Sequence, residues 1–490
     1  MAFSFVHDAS GVTRWRISAR VVWPFAVAAA IYGLLLILGS RLLADADTFW
    51  QIALGDWMMT NGRVPDADTF SFTVNGAPWI SSQWLAQVAY AKVYALGGFA
   101  GVVALASAAI ALAFGLLAYF LLQRMAVAPA LILTLAGFVL ASPHLLARPH
   151  ALALPVMVAW VAGLVRVADE NRAPSPWLLP LMTLWANLHG GFTLGFLFVS
   201  ACALDVFVRA AAHDRVSVLL RWGGFGVLAI AAACITPYGP ESILVTRRIL
   251  GLGGALALIG EWQPQNFARL DGFEICLLAG AGFAISRGVK LPPVRVLILL
   301  GLVHMALSQS RNCEVLGLLA PLLIAAPLAA QIGRREDDET PRSSWIFPAL
   351  ASIAAMSLAT GVAASTMRYE PRGQIAPAHA VDVIKANGVQ RVLNDYDLGG
   401  YLISRGVAPF IDGRTELYGE AFVVRHHRAV KLEDVADFFR LLDEYQIDAT
   451  LLNPATPAAG LLDRMSGWRR VYADDLAVVH MRSGNTDIVR

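Results

Sequence analysis

Charge is scarce in this sequence. Of 490 residues, 15% are Asp, Glu, Lys or Arg and 57% are apolar, against the roughly 25% charged residues of ordinary soluble domains. So little polar surface calls for lipid as the solvent of most of the chain. The net charge is only +2, and no basic run with interleaved aromatics occurs. That excludes the phosphate-tracking groove of a nucleic-acid-binding protein. Cysteine is rarer still: Cys202, Cys234, Cys276 and Cys313 all lie in or beside apolar stretches, without CxxC spacing. Neither a disulfide framework nor a zinc site is expected.

What is present is apolar sequence in long runs. Stretches long enough to cross about 30 Å of hydrocarbon are expected near 21–43, 98–122, 127–143, 149–167, 176–188, 190–210, 217–235, 273–288, 291–309, 313–332 and 344–366. That gives a polytopic α-helical membrane protein of about eleven spans. The first run follows Arg14, Arg16 and Arg20 and is too long for a signal-peptide core, so it reads as a retained first helix. Basic residues of the short breaks, among them Arg124, Arg166, Arg172, Arg209, Arg215 and Lys290, put the N-terminus inside the cytoplasm. An odd number of spans then leaves the C-terminus outside.

Two segments break this rhythm. Residues 44–97 form a first external loop whose DTFWQIALGDWMM and SSQWLAQVAYAKVYAL stretches read as helices in the plane of the interface. Residues 367–490 have ordinary charge density and read as a soluble α/β domain, separate from a membrane domain of residues 1–366. In it AVDVIKANG and LEDVADFFRLLDEYQ are expected helices, QRVLNDY and DATLLNP strands, and WRRVYADDLAVVHMR a closing hairpin. The charged linker at 333–342 reads as a solvated cytoplasmic loop.

The unusual polar clusters fall on one side of this topology. DADTFW, DADTFSF, SPHLLARPH, WANLHGG, TPYGPES, GEWQPQNF and SQSRNCE all belong to the external breaks, while the cytoplasmic loops show only solvated charge. A carrier needs polar groups near the bilayer midplane, and His304 is the best candidate for one. Chemistry at one membrane face fits better. Asp45 and Asp47 follow the first span directly, where a carboxylate at the lipid boundary becomes a stronger base or simply caps a helix. Asp66 and Asp68 sit in a Pro-containing turn and suit turn residues. Arg148, with His144 and His150, fits a phosphate or a snorkelling contact with head groups. Asn187 and His189 occupy a Gly-rich break, tolerated at membrane depth where it lines protein or a watery cavity. Glu261 beside Trp262 suits a sugar or an interfacial anchor.

The segment DADTFWQIALGDWMMTNGRVPDADTFSFTVNGAPWISSQWLAQVAYA resembles the first external loop of the GT-C superfamily of membrane glycosyltransferases, in particular the bacterial group related to family 39 mannosyltransferases and aminoarabinose transferases. WANLHGGF, TPYG, the EW at 261–262, NDYDLGGYL and FIDGRTELYGE are similar to a recurring subgroup of GT-C-like proteins. The resemblance implies a GT-C-like bundle in a bacterial inner membrane, and a sugar moved from a polyprenyl-phosphate donor to a lipid, glycan or protein acceptor outside the cytoplasm. The family's acidic residue falls on Asp45 and its second acid on Ala46, which leaves Asp47 as the substitute. Either Asp45 or Asp47 is then the base. Arg148, Arg247, Arg311 and His189 are candidates near the leaving phosphate, and Tyr238, Asn187, Asp395, Asp397, Asp412 and Arg414 candidates for contact with substrate, Asp397 suiting a cap on the LGGYLI helix as well. Asp412 and Arg414 equally suit a structural pair at a strand end. No cofactor is required, although Asp45 and Asp47 form a pair able to hold a divalent metal. A non-catalytic glycan-binding scaffold and a lipid or glycan transporter are the competing readings.

Overall fold

The computed structural model describes residues 6–7, 13–14, 19–332, 345–371 and 375–483. Arg16 and the charged linker at 333–342 lie outside them. Among the described residues eight helices are long and apolar enough to cross a membrane: Arg20–Ile37, Trp84–Leu122, Val127–His144, Pro149–Asp169, Gly190–Arg209, Arg215–Ala233, Ser310–Ile332 and Ile346–Thr366. The other three expected spans are helices too, but shorter: Leu179–Leu188, Gly272–Arg287 and Pro293–Ser308. Prolines, Gly288 and polar breaks cut them before they reach the roughly 20 residues of a full crossing. The chain is a polytopic α-helical membrane protein with a small α/β domain at its C-terminal end.

The 39-residue helix Trp84–Leu122 is the centre of the bundle. It begins as the second helix of the first loop and turns into a span at Gly97 and Gly98; Gly98 has φ +58°, a conformation that other residues resist. Ala106, Ile110, Ala111, Ala113 and Phe114 on the spanning part are fully buried. Small residues set the helix approaches, as in membrane bundles generally. At the crossing of Val127–Ala141 with Cys313–Ile332, a Cβ on Gly137 would lie 2.4 Å from the Gly317 carbonyl oxygen.

The end away from the C-terminal domain holds more than solvated charge. Arg295 is buried, paired with Asp169 and with Asp205 (3.2 Å), and its NH1 donates to the Leu323 carbonyl (3.1 Å). Arg209 reaches Asp205 (3.0 Å) and Arg124 reaches Asp169 (3.4 Å). Each residue alone looks like a loop charge in the sequence; together they tie four helices and the turn that follows Trp84–Leu122.

Two-residue strands β1 (Val6–His7) and β2 (Thr13–Arg14) pair antiparallel near the N-terminus. In the C-terminal domain, β3 (Val392–Asn394), β4 (Ala449–Leu452), β5 (Trp468–Ala473) and β6 (Val478–Arg482) form one sheet in the order β3-β4-β6-β5, with β3 parallel to β4 and the other pairs antiparallel. Helices Ala378–Ala386, Thr415–Val430 and Val435–Glu444 cover it. A buried charge cluster fastens this domain to the first loop. Arg414 donates to both carboxylate oxygens of Asp412 (2.8 and 2.7 Å) and to Asp68 (2.6 Å), and Tyr418 donates to Asp412 (2.6 Å). Asp68 also accepts from the Phe70 and Ser71 amides, the turn role read from its sequence.

Candidate functional site

The first loop and the start of the Pro149–Asp169 helix are fixed against each other before any ligand arrives. The Ala147 amide donates to the Leu42 carbonyl (2.8 Å), Thr48 Oγ1 donates to the Ala147 carbonyl (3.3 Å), and Tyr90 donates to the Arg148 carbonyl (3.0 Å). Asp45 Oδ1 accepts the Asp47 amide (2.7 Å), closing the turn that starts the helix Asp47–Asn61. Asp47 stands in the first turn of that helix, and Trp50 Nε1, three residues on, donates to its Oδ1 (3.0 Å).

From these positions a row of alternating charges crosses the site. Arg148 pairs with Asp45, with Asp47 (3.3 Å) and with Glu261 (2.9 Å). Glu261, on the turn Gly260–Trp262, also binds Arg311 (3.1 Å), whose guanidinium lies 4.6 Å from the ring centre of Trp262. Arg311 spends only NH1 on Glu261. His189 accepts the Gly191 amide on Nδ1 (3.1 Å), so its proton is on Nε2. His150 lies 3.5 Å from Glu314 and 6.2 Å, ring to ring, from His189.

Burial, reinforced by the charges of Asp45 and Glu261, raises the Asp47 carboxyl to about 7 against the pull of Arg148. For Arg148 burial opposes the charge, but the three carboxylates around it outweigh burial and hold it protonated. Burial likewise disfavours a charged Glu261, and there Arg148 and Arg311 win and lower its carboxyl. Burial, with Arg311 nearby, takes His189 down to about 3, so it is a neutral donor at physiological pH.

These groups line one cavity of about 640 Å³. Its inner part is apolar, with Leu154, Met157, Leu194, Leu197, Met305 and Val315 from four membrane helices; its outer part is walled by Tyr396, Asp397, Gly413, Thr415 and Glu416 of the C-terminal domain. Gly413 presses on Asp47: a Cβ there would sit 1.9 Å from Asp47 Oδ1.

Of the residues singled out by sequence, Asp45, Asp47, Arg148, His150, His189, Glu261, Trp262, Arg311 and Asp397 meet at this cavity. The others do not line it. His144 is on the Ser142–His144 turn beside it. Asn187 is consumed by structure, accepting from Trp84 Nε1 (2.7 Å) and donating to the Thr183 and Ile235 carbonyls. Tyr238 donates to the Pro65 carbonyl (2.8 Å) and accepts the Ser81 amide. Arg247 is exposed. Asp412 and Arg414 form the buried fastening just described. Asp397 caps no helix, and Asp395 is turned away, accepting from the Asn453 amide and Thr456 Oγ1. Glu314, Gly413 and Glu416 are not singled out by the sequence, although SQSRNCE and FIDGRTELYGE contain them.

No family model matches the chain, and no curated protein does. Solved structures do. The oligosaccharyltransferase AglB from Archaeoglobus fulgidus, in complex with an inhibitory peptide and a dolichol-phosphate, matches with a TM-score of 0.50 at 11% identity, over 88% of this chain and 69% of that one. ArnT from Cupriavidus metallidurans, bound to undecaprenyl phosphate, matches with a TM-score of 0.47 at 15% identity, over 96% of this chain and 99% of that one. At such identities the likeness speaks for fold alone: the chain shares its fold with the archaeal oligosaccharyltransferase.

Proposed function

We propose that the chain, with its GT-C fold, is a glycosyltransferase that moves a sugar from a polyprenyl-phosphate donor to an acceptor at the outer face of a bacterial inner membrane, with Asp47 as the base. The observation that carries this reading is the charge row Asp47–Arg148–Glu261–Arg311 inside a cavity that is apolar toward the bundle and polar toward the C-terminal domain. The apolar part suits the first prenyl units, and the N–H groups of Arg311 and His189 suit the phosphate. The similar archaeal enzyme holds a dolichol-phosphate, which is a ligand of the same chemistry.

In the reaction, Asp47 takes the proton of the acceptor hydroxyl or amine as that atom attacks the anomeric carbon. The bond from this carbon to the phosphate oxygen breaks through an oxocarbenium-like state, and its electron pair leaves on the phosphate, where Arg311 and His189 stabilise it. Asp45 suits a holding role, since it accepts from both Arg148 and the Asp47 amide and so fixes the two against each other. Arg148 sits between Asp45 and Asp47, where a divalent ion would otherwise join them, so this pair as placed does not fit a metal. The one-sided basic loops support an outward-facing site.

The test is sugar transfer by purified protein in lipid, supplied with a panel of polyprenyl-phosphate sugars. Wild type should release free polyprenyl phosphate. Asp47→Asn should lose at least about a hundredfold in rate while still binding the carrier. Absence of carrier binding and of turnover with every donor would end the reading, in favour of a scaffold or a transporter.

A further inference from the structure

The charges lining the cavity are unevenly spread. Among the described residues six carboxylates reach it, from Asp45, Asp47, Glu261, Glu314, Asp397 and Glu416, against two guanidiniums, Arg148 and Arg311. Both guanidiniums belong to the bundle side, where they neutralise Asp45, Asp47 and Glu261. Among the described residues, the wall supplied by the C-terminal domain has no cation. Asp397 stands there on the turn Tyr396–Leu398; its carboxylate caps no helix, and no hydrogen bond or ion pair to it occurs among the described residues. Glu416 gives Oε1 to Trp79 Nε1 (3.0 Å), and Tyr396 and Thr415 share a hydroxyl hydrogen bond (2.6 Å). Burial and the charge of Asp45 both push the Asp397 carboxyl upward, against Arg148.

We propose that this wall is the acceptor subsite, and that it takes a polyhydroxylated acceptor without phosphate or carboxylate groups, a neutral sugar chain whose hydroxyls donate to Asp397 and Glu416. A carboxylate only accepts, so it matches O–H donors and leaves an anion with no partner. An anionic acceptor would meet the like charge of Asp397 and Glu416 with no cation among the described residues of that wall to offset it. The ring of Tyr396 adds an apolar surface of the kind that a sugar face covers. The inference rests on the transferase reading of the cavity.

The test uses the full chain in lipid nanodiscs and a panel of neutral oligosaccharides with their phosphorylated and carboxylated counterparts. Binding of undecaprenyl phosphate is measured on the same samples. Neutral members should bind, with their anionic counterparts at least about tenfold weaker. Asp397→Asn should weaken the neutral members, and Asp397→Lys should reverse the order; Asp397 is exposed and unpaired, so neither change threatens the fold. Equal or tighter binding of the anionic counterparts, indifference to Asp397, or no neutral member bound by protein that still binds undecaprenyl phosphate would each overturn the proposal. Loss of undecaprenyl phosphate binding in the wild type would instead overturn the transferase reading beneath it.

Discussion

Gly413 has room for a hydrogen and nothing larger, because Asp47 Oδ1 and Trp50 Nε1 fill the space where a Cβ would go. Gly413→Ala should therefore displace Asp47, lowering the transfer rate at least about tenfold while carrier affinity stays unchanged; kcat beside a carrier-binding constant checks this. Because Arg148 already bridges Asp45 and Asp47, transfer in excess chelator should stay within about twofold of its untreated rate. A tenfold fall, restored by one divalent ion, would contradict the role given to Arg148. At this scale the sequence was informative where a charged residue stands beside an apolar run: Asp45, Asp47, Arg148, Glu261 and Arg311 each cost too much near lipid to be there without a partner, and they found one another. Asn187 and Tyr238 stood out for the same reason, yet loops that turn back at the membrane boundary leave backbone groups to satisfy, and these two side chains satisfy them. Glu416 is hidden in the sequence because a carboxylate in a polar tail carries no such cost, whereas Asp397 stands out there only through its motif.

Among elements, the junction of first loop and C-terminal domain decides whether the cavity has its outer wall. Arg414 is wholly buried and depends on Asp412 and Asp68. Asp412→Ala should leave most of the guanidinium's hydrogen bonds unmade and cost ~3–5 kcal/mol, read as faster hydrogen exchange throughout β3 and β4. A change confined to acceptor affinity, with exchange unaltered, would return Asp412 and Arg414 to the substrate-contacting role that their sequence also allowed. The elements themselves were largely legible. Strands β3 to β6 and the helices Ala378–Ala386 and Val435–Glu444 follow the expected alternation, the helix Thr415–Val430 is an addition to it, and all eleven apolar runs are helices. What the runs could not show was their length as helices: Leu179–Leu188 is ten residues, and only its neighbours make it part of the bundle. The buried group around Arg295 was illegible for a related reason, since residues from four helices and one turn converge there through tertiary contacts alone.

At the scale of the whole molecule, the two ends of the bundle do different work. One end is closed by the network of Arg295, Asp169 and Asp205; the other opens into the cavity beneath the C-terminal domain. Cysteines placed singly at Lys385 and at Asn171 should separate the two ends: a membrane-impermeant thiol reagent added to spheroplasts should label the first and reach the second only after permeabilisation. The reverse pattern would invert the orientation read from the basic loops. The most direct measurement of the central claim is the single-turnover rate of sugar transfer from a pre-bound polyprenyl-phosphate donor between pH 6 and 8. With its carboxyl raised to about 7, Asp47 is mostly protonated and idle at pH 6 and mostly free to accept a proton at pH 8. The wild-type rate should climb across this window with an inflection near 7, while Asp47→Asn should be flat and at least about a hundredfold slower. An Asp47→Asn protein that kept the wild-type rate, or the same inflection, would show that the base lies elsewhere.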